Sequence, residues 1–351
     1  MFSRVFQHAL MTLSPVSDAR LTQLTQWAAT LPHPQLQVDS VRPASSDASF
    51  RRYFRFDGTD GATYIAMDAP PPQEDVRPFI QVAELFASTG VSVPQILAQD
   101  VEQGFLLLSD LGNTTYLHQL NADTAFKLYM DAIDALVVMQ VQSRPGVLPE
   151  YDRSMLLREL QLFPDWYINK HLGVTLTASQ QAVLDKTFNL LLANNLAQPQ
   201  VFVHRDYHSR NLMVLGKGSP GILDFQDAVY GPITYDLVSL LRDAYIEWDE
   251  EMVLDWAIRY WERARRAGLP VRPDIDSFYL DFEFMGLQRH LKVLGIFARL
   301  HHRDGKDGYL KDLPLVMQYT RKVAGRYKEL VPLLRLLDEL EERGPQVGYT
   351  F

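Results

Sequence analysis

The sequence predicts an α+β chain of two lobes, a small antiparallel sheet followed by a mostly helical body. Three observations carry this. Short alternating apolar runs at 36–41, 50–56 and 63–67 crowd the N-terminal third, and the turn Asp57-Gly58-Thr59-Asp60-Gly61 joins the last two. Beyond residue 112, apolar residues recur mainly at helical spacing. At 351 residues and 47% hydrophobic content, the chain can build two lobes, each with its own core.

A first helix is expected over 18–31, capped by Ser17, with Leu21, Leu24, Trp27 and Ala28 on one face. Pro32 and Pro34 end it. The three alternating runs then form the sheet. A helix over 75–89 follows Pro70-Pro71-Pro72 and buries Phe79, Val82, Ala83 and Phe86, with Glu84 facing solvent. Gly90 stops it. Residues 93–98 and 104–108 read as two further strands. Ser109-Asp110-Leu111-Gly112 reads as a hinge, with Asp110 as a helix cap. Helices are expected over 122–141, 153–170 and 177–196. Others follow over 233–245, with Pro232 in its first turn, and over 250–267, 274–302 and 308–342. Residues 1–16 read as a flexible N-terminus, and the lobes as 17–111 and 112–351.

Composition excludes several classes. A net charge of −9 argues against a nucleic-acid footprint, which would be basic. The chain has no cysteine, so it has no disulfide, zinc-thiolate site or thiol nucleophile. It contains no apolar run long enough to span a bilayer, and its opening lacks a secretory h-region. A cytoplasmic protein without an obligate protein partner is expected.

The chemistry concentrates in Val201–Asp227. Two apolar runs, Val201–Val203 and Gly221–Leu223, each lead into an acid, Asp206 and Asp224. Asn211 opens a third run between them. His204-Arg205-Asp206-x-x-x-x-Asn211 fits the kinase catalytic-loop pattern, and Asp224-Phe225 fits the start of D-F-G. Phosphoryl transfer needs a carboxylate for the acceptor hydroxyl and two oxygen donors for Mg²⁺. Asp206, Asn211 and Asp224 supply these in order. Alternatively all three are turn residues capping strands, but agreement at three positions favours the chemistry.

The segment resembles the aminoglycoside phosphotransferase/choline kinase superfamily, small-molecule kinases with a protein-kinase-like bilobal fold. His208 stands two residues after Asp206, as in that family. The strings DYHSRNLMV (206–214) and ILDFQDAVYGPITYDLVSLLRD (222–243) resemble bacterial kinases of the anomeric hydroxyl of N-acetylmuramate and N-acetylglucosamine, which act in cell-wall recycling. The resemblance implies ATP and Mg²⁺ as cofactors, residues 17–111 for the nucleotide, and 112–351 for the catalytic loop and acceptor. It implies that backbone groups near Ser109 and Leu111 meet adenine, and that His208 braces the loop by hydrogen bonding.

The other site residues follow from position. Ser45, Ser46 and Ser49 stand where a kinase has its phosphate loop, although a plain turn is the alternative. The strand lysine that contacts phosphates is absent, with Met67 in its slot. Arg51 or Arg52 is expected to supply the missing cation, with Arg51 and Arg55 on the face opposite Arg52, although solvated strand residues are the alternative. Asp236 lies on an apolar face and needs partners, expected from the loop backbone or Arg205. Glu159, Trp166 and Arg289 are candidates for the acceptor, alongside a bland helical role. His301 and His302 read as a solvated helix end rather than metal ligands. A polycationic aminoglycoside favours acids, and N-acetylmuramate's carboxylate favours Arg or Lys. The chain offers both, and a pseudokinase remains the third reading because of Met67.

Overall fold

The computed structural model describes residues 18–46, 50–218 and 220–343. The expected flexible N-terminus, the cap at Ser17, and Ser49 lie outside these. The chain divides into two compact units, one of residues 1–77 and 95–110 and the other of residues 78–94 and 111–351.

The first unit contains α1 (Ala19–Thr30), β1 (Leu36–Ser46), β2 (Arg52–Gly58), β3 (Thr63–Asp68), β4 (Ile96–Asp100) and β5 (Phe105–Ser109). The strands form one antiparallel sheet in the order β1-β2-β3-β5-β4. Asp18, not Ser17, is the described N-cap of α1: its carboxylate accepts the amide of Leu21 at 3.0 Å. Leu24 and Ala28 of α1 pack on Phe54, Phe56, Ala66, Phe105 and Leu107, so α1 covers one face of the sheet. Met67 is fully buried in the neighbouring strand pair.

The second unit is mostly helical. α2 (Arg77–Thr89) begins at its edge. α3 (Tyr116–Gln119), α4 (Ala125–Val141) and α5 (Arg153–Leu160) follow, then a π-helical stretch at Phe163–His171 and α6 (Ala178–Leu196). The catalytic stretch supplies β6 (Gln200–Val203), β7 (Leu212–Met213), β8 (Gly221–Ile222) and β9 (Val229–Pro232). α7 (Tyr235–Leu241), α8 (Glu250–Arg266), α9 (Ile275–Asp304), α10 (Leu313–Arg326) and α11 (Val331–Arg343) complete it.

Three expectations change. Pro232 ends a strand rather than opening a helix, because residues 200–203 pair with 229–232. The helix expected over 153–170 breaks into α5 and a π-helical stretch that carries Pro164 at its start. The long helix expected over 308–342 is two helices separated by a 3₁₀ turn at Lys328–Leu330.

α9 is the axis of this unit. It spans 30 residues and is buried all round from Asp281 to Gly295, as a helix must be when neighbours pack on every side. Gly295 makes this possible locally, since a Cβ there would stand 2.3 Å from the Leu162 backbone. The buried stretch carries Glu283, Gln288, Arg289, His290 and Lys292, which therefore need partners from adjacent elements.

Candidate active site

Asp206, Asn211 and Asp224 come together within the second unit. Nδ2 of Asn211 donates to the backbone oxygen of Asp206 at 3.0 Å and lies 3.4 Å from Oδ2 of Asp224. The β7–β8 ladder sets this spacing. Leu212 pairs with Ile222, and the Leu223 amide donates to the Asn211 carbonyl at 2.9 Å. Gln226 donates to the other oxygen of Asp224 at 2.8 Å. Phe225 anchors the turn against α2, its ring 4.8 Å from Phe79 and 6.0 Å from Phe86.

The loop is strained and held. Arg205 and Asp224 have φ of 79° and 62°, left-handed values that cost a residue with a side chain about 1 kcal/mol or more. At Arg205 the restraint is Asp236, fully buried at the first turn of α7. It accepts the amides of His204 at 2.6 Å and Arg205 at 3.0 Å. Burial pushes its carboxyl up to about 7, against the pull of those two amides.

His204 holds the next link. Its Nε2 lies 2.9 Å from the Leu223 carbonyl, and its Nδ1 accepts the Asp206 amide at 3.2 Å. These partners assign a neutral ring protonated at Nε2. Burial lowers its pKa to about 4. Asp243 braces the far side, accepting the amide of Ser209 at 3.0 Å and its hydroxyl. His208 braces the loop through its backbone, its amide donating to the Asp206 carbonyl at 3.0 Å and its carbonyl accepting the Asn211 amide at 2.9 Å. Its Nδ1 makes no hydrogen bond among the described residues, and the ring lies edge-on to Tyr245. His204, Asp236 and Asp243 add the side-chain braces.

Asp206 itself is 42% exposed at its side chain. The surrounding protein pushes its carboxyl up, but nearby positive charges, led by Lys292 and including Arg289 and Arg205, outweigh this. They hold it well below the ordinary carboxylate range, so it is ionised at neutral pH. Glu159 sits behind these cations. It is buried, pairs with Arg205 and with Nζ of Lys292 at 3.1 Å, and accepts the Tyr151 hydroxyl. Lys292 also donates to the Tyr235 hydroxyl at 2.9 Å. The acceptor role considered for Glu159 is therefore replaced, because two cations and a phenol occupy its oxygens. Trp166 is half-buried on the π-helical stretch, and no hydrogen bond or ring contact joins it to Asp206 among the described residues. Arg289 does reach Asp206, with Nη2 3.8 Å from Oδ1.

The first unit sorts the nucleotide candidates. Arg52 shares a sheet face with Phe54 and Phe56, under α1. It donates to the fully buried Asp68 at 2.6 Å and pairs with Asp18. Asp68 also takes Arg20 at 3.1 Å. Arg52 is thus removed as the substitute cation, since it neutralises buried acid. Arg51 lies just before β2 with Nε 4.0 Å from Glu74. Arg55 pairs with Asp110 at 2.5 Å, and Thr63 donates to the same carboxylate at 2.7 Å, so Asp110 is a counter-ion rather than a helix cap. Ser45 and Ser46 end β1. The Ser109 amide is already bonded to the Gln95 carbonyl at 2.9 Å, which removes it as a donor for adenine. Leu111 opens the second stretch of the second unit.

The donor set suits a magnesium ion carried with a nucleotide. Asn211 spends its nitrogen on Asp206, which leaves its oxygen to face a cation, beside the carboxylate of Asp224. Mg²⁺ commonly takes one or two protein ligands plus phosphate oxygens and water. Among the described residues no group of three or more His, Asp or Glu side chains could hold a metal alone. His301 bonds Asp307 at 2.7 Å, and Nε2 of His302 lies 3.4 Å from Nδ1 of His171.

An ionised aspartate on a strained loop, beside an amide oxygen and a second acid, is the apparatus of a protein-kinase-like phosphotransferase. Residues 40–269 match the phosphotransferase enzyme family, and the chain belongs to that family. It is 53% identical over 337 residues to a protein of Neisseria meningitidis named N-acetylmuramate/N-acetylglucosamine kinase, covering 95% of this chain and 99% of that one. A Pseudomonas putida protein of the same name is 49% identical, covering 93% and 98%. Among solved structures, a choline/ethanolamine kinase family protein of Mesorhizobium loti superposes with a TM-score of 0.60 at 15% identity, covering 91% and 99%. That likeness establishes the fold.

Proposed function

We propose that the protein transfers the γ-phosphoryl group of ATP to the anomeric hydroxyl of N-acetylmuramate or N-acetylglucosamine. The observation that carries the chemistry is Asn211, whose one amide group spans Asp206 at 3.0 Å and Asp224 at 3.4 Å. Near-full-length identity to kinases of that name supports the acceptor class. Asp206 accepts a hydrogen bond from the anomeric hydroxyl and takes its proton. An anomeric hydroxyl is more acidic than an ordinary alcohol, so a carboxylate suffices. Asn211 and Asp224 would hold Mg²⁺, and its charge would offset that of the phosphates. Arg51, just before β2, supplies the cation that Met67 cannot, and the Leu111 amide meets adenine. Residues 17–111 carry the nucleotide contacts, and 112–351 the catalytic loop and acceptor site.

The test is a panel of amino sugars and aminoglycosides with ATP and Mg²⁺, read as ADP release. The two N-acetylated sugars should give product labile to acid, as a glycosyl phosphate is. Turnover of aminoglycosides alone would move the assignment to an antibiotic kinase, and no turnover would make the chain a pseudokinase.

A further inference from the structure

Arg289 is the anomaly of the site. Its side chain is 4% exposed, and its Nε is sealed from solvent without a partner. None of its nitrogens makes a hydrogen bond among the described residues; its ion contact is Asp206, at 3.8 Å too long for one. Buried guanidinium groups normally satisfy their donors, because leaving them unmade costs the full desolvation penalty. The neighbouring acids are committed elsewhere. Glu159 serves Arg205 and Lys292, Asp236 two backbone amides, and Asp243 the Ser209 amide and hydroxyl. His208, half-buried and within the charges of both Asp206 and Arg289, has a second sealed nitrogen without a hydrogen bond, its Nδ1.

We infer that Arg289 binds a carboxylate on the acceptor and so favours the acidic sugar, N-acetylmuramate, over the neutral one. This rests on the amino-sugar reading above. A planar guanidinium recognises a carboxylate through paired hydrogen bonds, which a neutral hydroxyl cannot match. The spacing suits one ligand. A hydroxyl on Asp206 and a carboxylate on Arg289 can be engaged together when they lie within about 9 Å of each other, allowing ordinary hydrogen-bond lengths at each end. The anomeric hydroxyl and the lactyl carboxylate of a single hexose meet that limit. The charge of the phosphoryl group would be met by the Mg²⁺ that Asn211 and Asp224 would hold, which leaves Arg289 for the acid of the acceptor.

The experiment measures kcat/KM of the full chain with ATP and Mg²⁺ for N-acetylmuramate, its carboxamide and N-acetylglucosamine. The wild type should prefer the acid to its carboxamide by about ten- to a hundredfold. Arg289→Met should erase that preference and lower the ratio of N-acetylmuramate to N-acetylglucosamine by a similar factor, with Arg289→Lys between the two. Arg289 makes no hydrogen bond among the described residues, so an apolar replacement strands no buried donor or acceptor. The acid-to-carboxamide comparison needs no variant at all. Equal discrimination by wild type and Arg289→Met, or a wild type indifferent to amidation, overturns the inference. A wild type that turns over none of the three sugars overturns the acceptor assignment instead.

Discussion

Oδ2 of Asp236 lies 2.6 Å from the backbone nitrogen of His204, and its other oxygen lies 3.0 Å from that of Arg205. One buried carboxylate thus fixes the two residues before Asp206. Asp236→Ala leaves two buried amides unpaired, and each such loss costs about 1–3 kcal/mol. The variant should unfold at markedly lower urea concentration and also lose kcat. Wild-type stability with reduced kcat would mean that Asp236 acts on the chemistry alone.

Acid should loosen the loop through His204. Its pKa is about 4 folded and about 6.5 unfolded, so between these values only the unfolded chain binds the proton. The stability it contributes is full above pH 6.5 and is lost as pH falls through about 4. Asp236, raised to about 7, works the other way. Its contribution is full below about 3.8 and is lost as pH rises through about 7. The two slopes oppose each other in the wild type. Removing one exposes the other, so the stability of wild type minus that of His204→Gln should grow between pH 4.5 and 6.5. Parallel curves from urea unfolding at several pH values would count against a neutral His204.

Asp206→Asn keeps the size of the side chain and removes the base. It should lower kcat by about 10²–10⁴-fold, the usual range for a positioned acid or base, with little change in ATP affinity. Isothermal titration with a non-hydrolysable ATP analogue separates the two. Equal loss of binding and rate would make Asp206 a structural residue.

Glu159→Gln should destabilise the second unit by about 3–5 kcal/mol, because it strands Arg205 and Lys292 as buried cations. Adding Lys292→Met should recover part of that loss. A double-mutant cycle by chemical denaturation measures the coupling, and strictly additive effects would show that the pair is not an energetic unit.

The two neighbouring arginines should part company. Arg52→Met should lower the melting temperature, since Asp68 then keeps only Arg20, while the KM for ATP changes little. Arg51→Met should raise the KM for ATP by more than Arg52→Met does. Reversal of the two outcomes would return Arg52 to the phosphates.

The fold, and the trio of Asp206, Asn211 and Asp224 that the structure brings together, were legible because their signals are local. Alternation marked the strands, a fixed spacing marked Asp206, Asn211 and Asp224, and an acid on an apolar face marked Asp236 as needing partners. What could not be read was long-range pairing. Glu159 meets Arg205 and Lys292 from three separate elements, and no periodicity announces a shared counter-ion. Arg52 looked available until Asp18 and Asp68 appeared beside it. His204 was overshadowed by His208 because its partners are the amide of Asp206 and the carbonyl of Leu223, groups every residue carries. A signal did exist for Lys292 and Arg289: charged residues inside a stretch as apolar as 282–298 must be answered by something.

Arg289 belongs to α9, while Asp206, Asn211 and Asp224 all sit between 201 and 227. On the role inferred for Arg289, the part of the molecule that chooses the sugar and the part that moves the phosphate are written in separate stretches of sequence. Substitutions confined to one helix can redirect the enzyme toward a neutral or cationic partner without rewriting its reaction, which makes that helix the place to begin any library meant to change its diet.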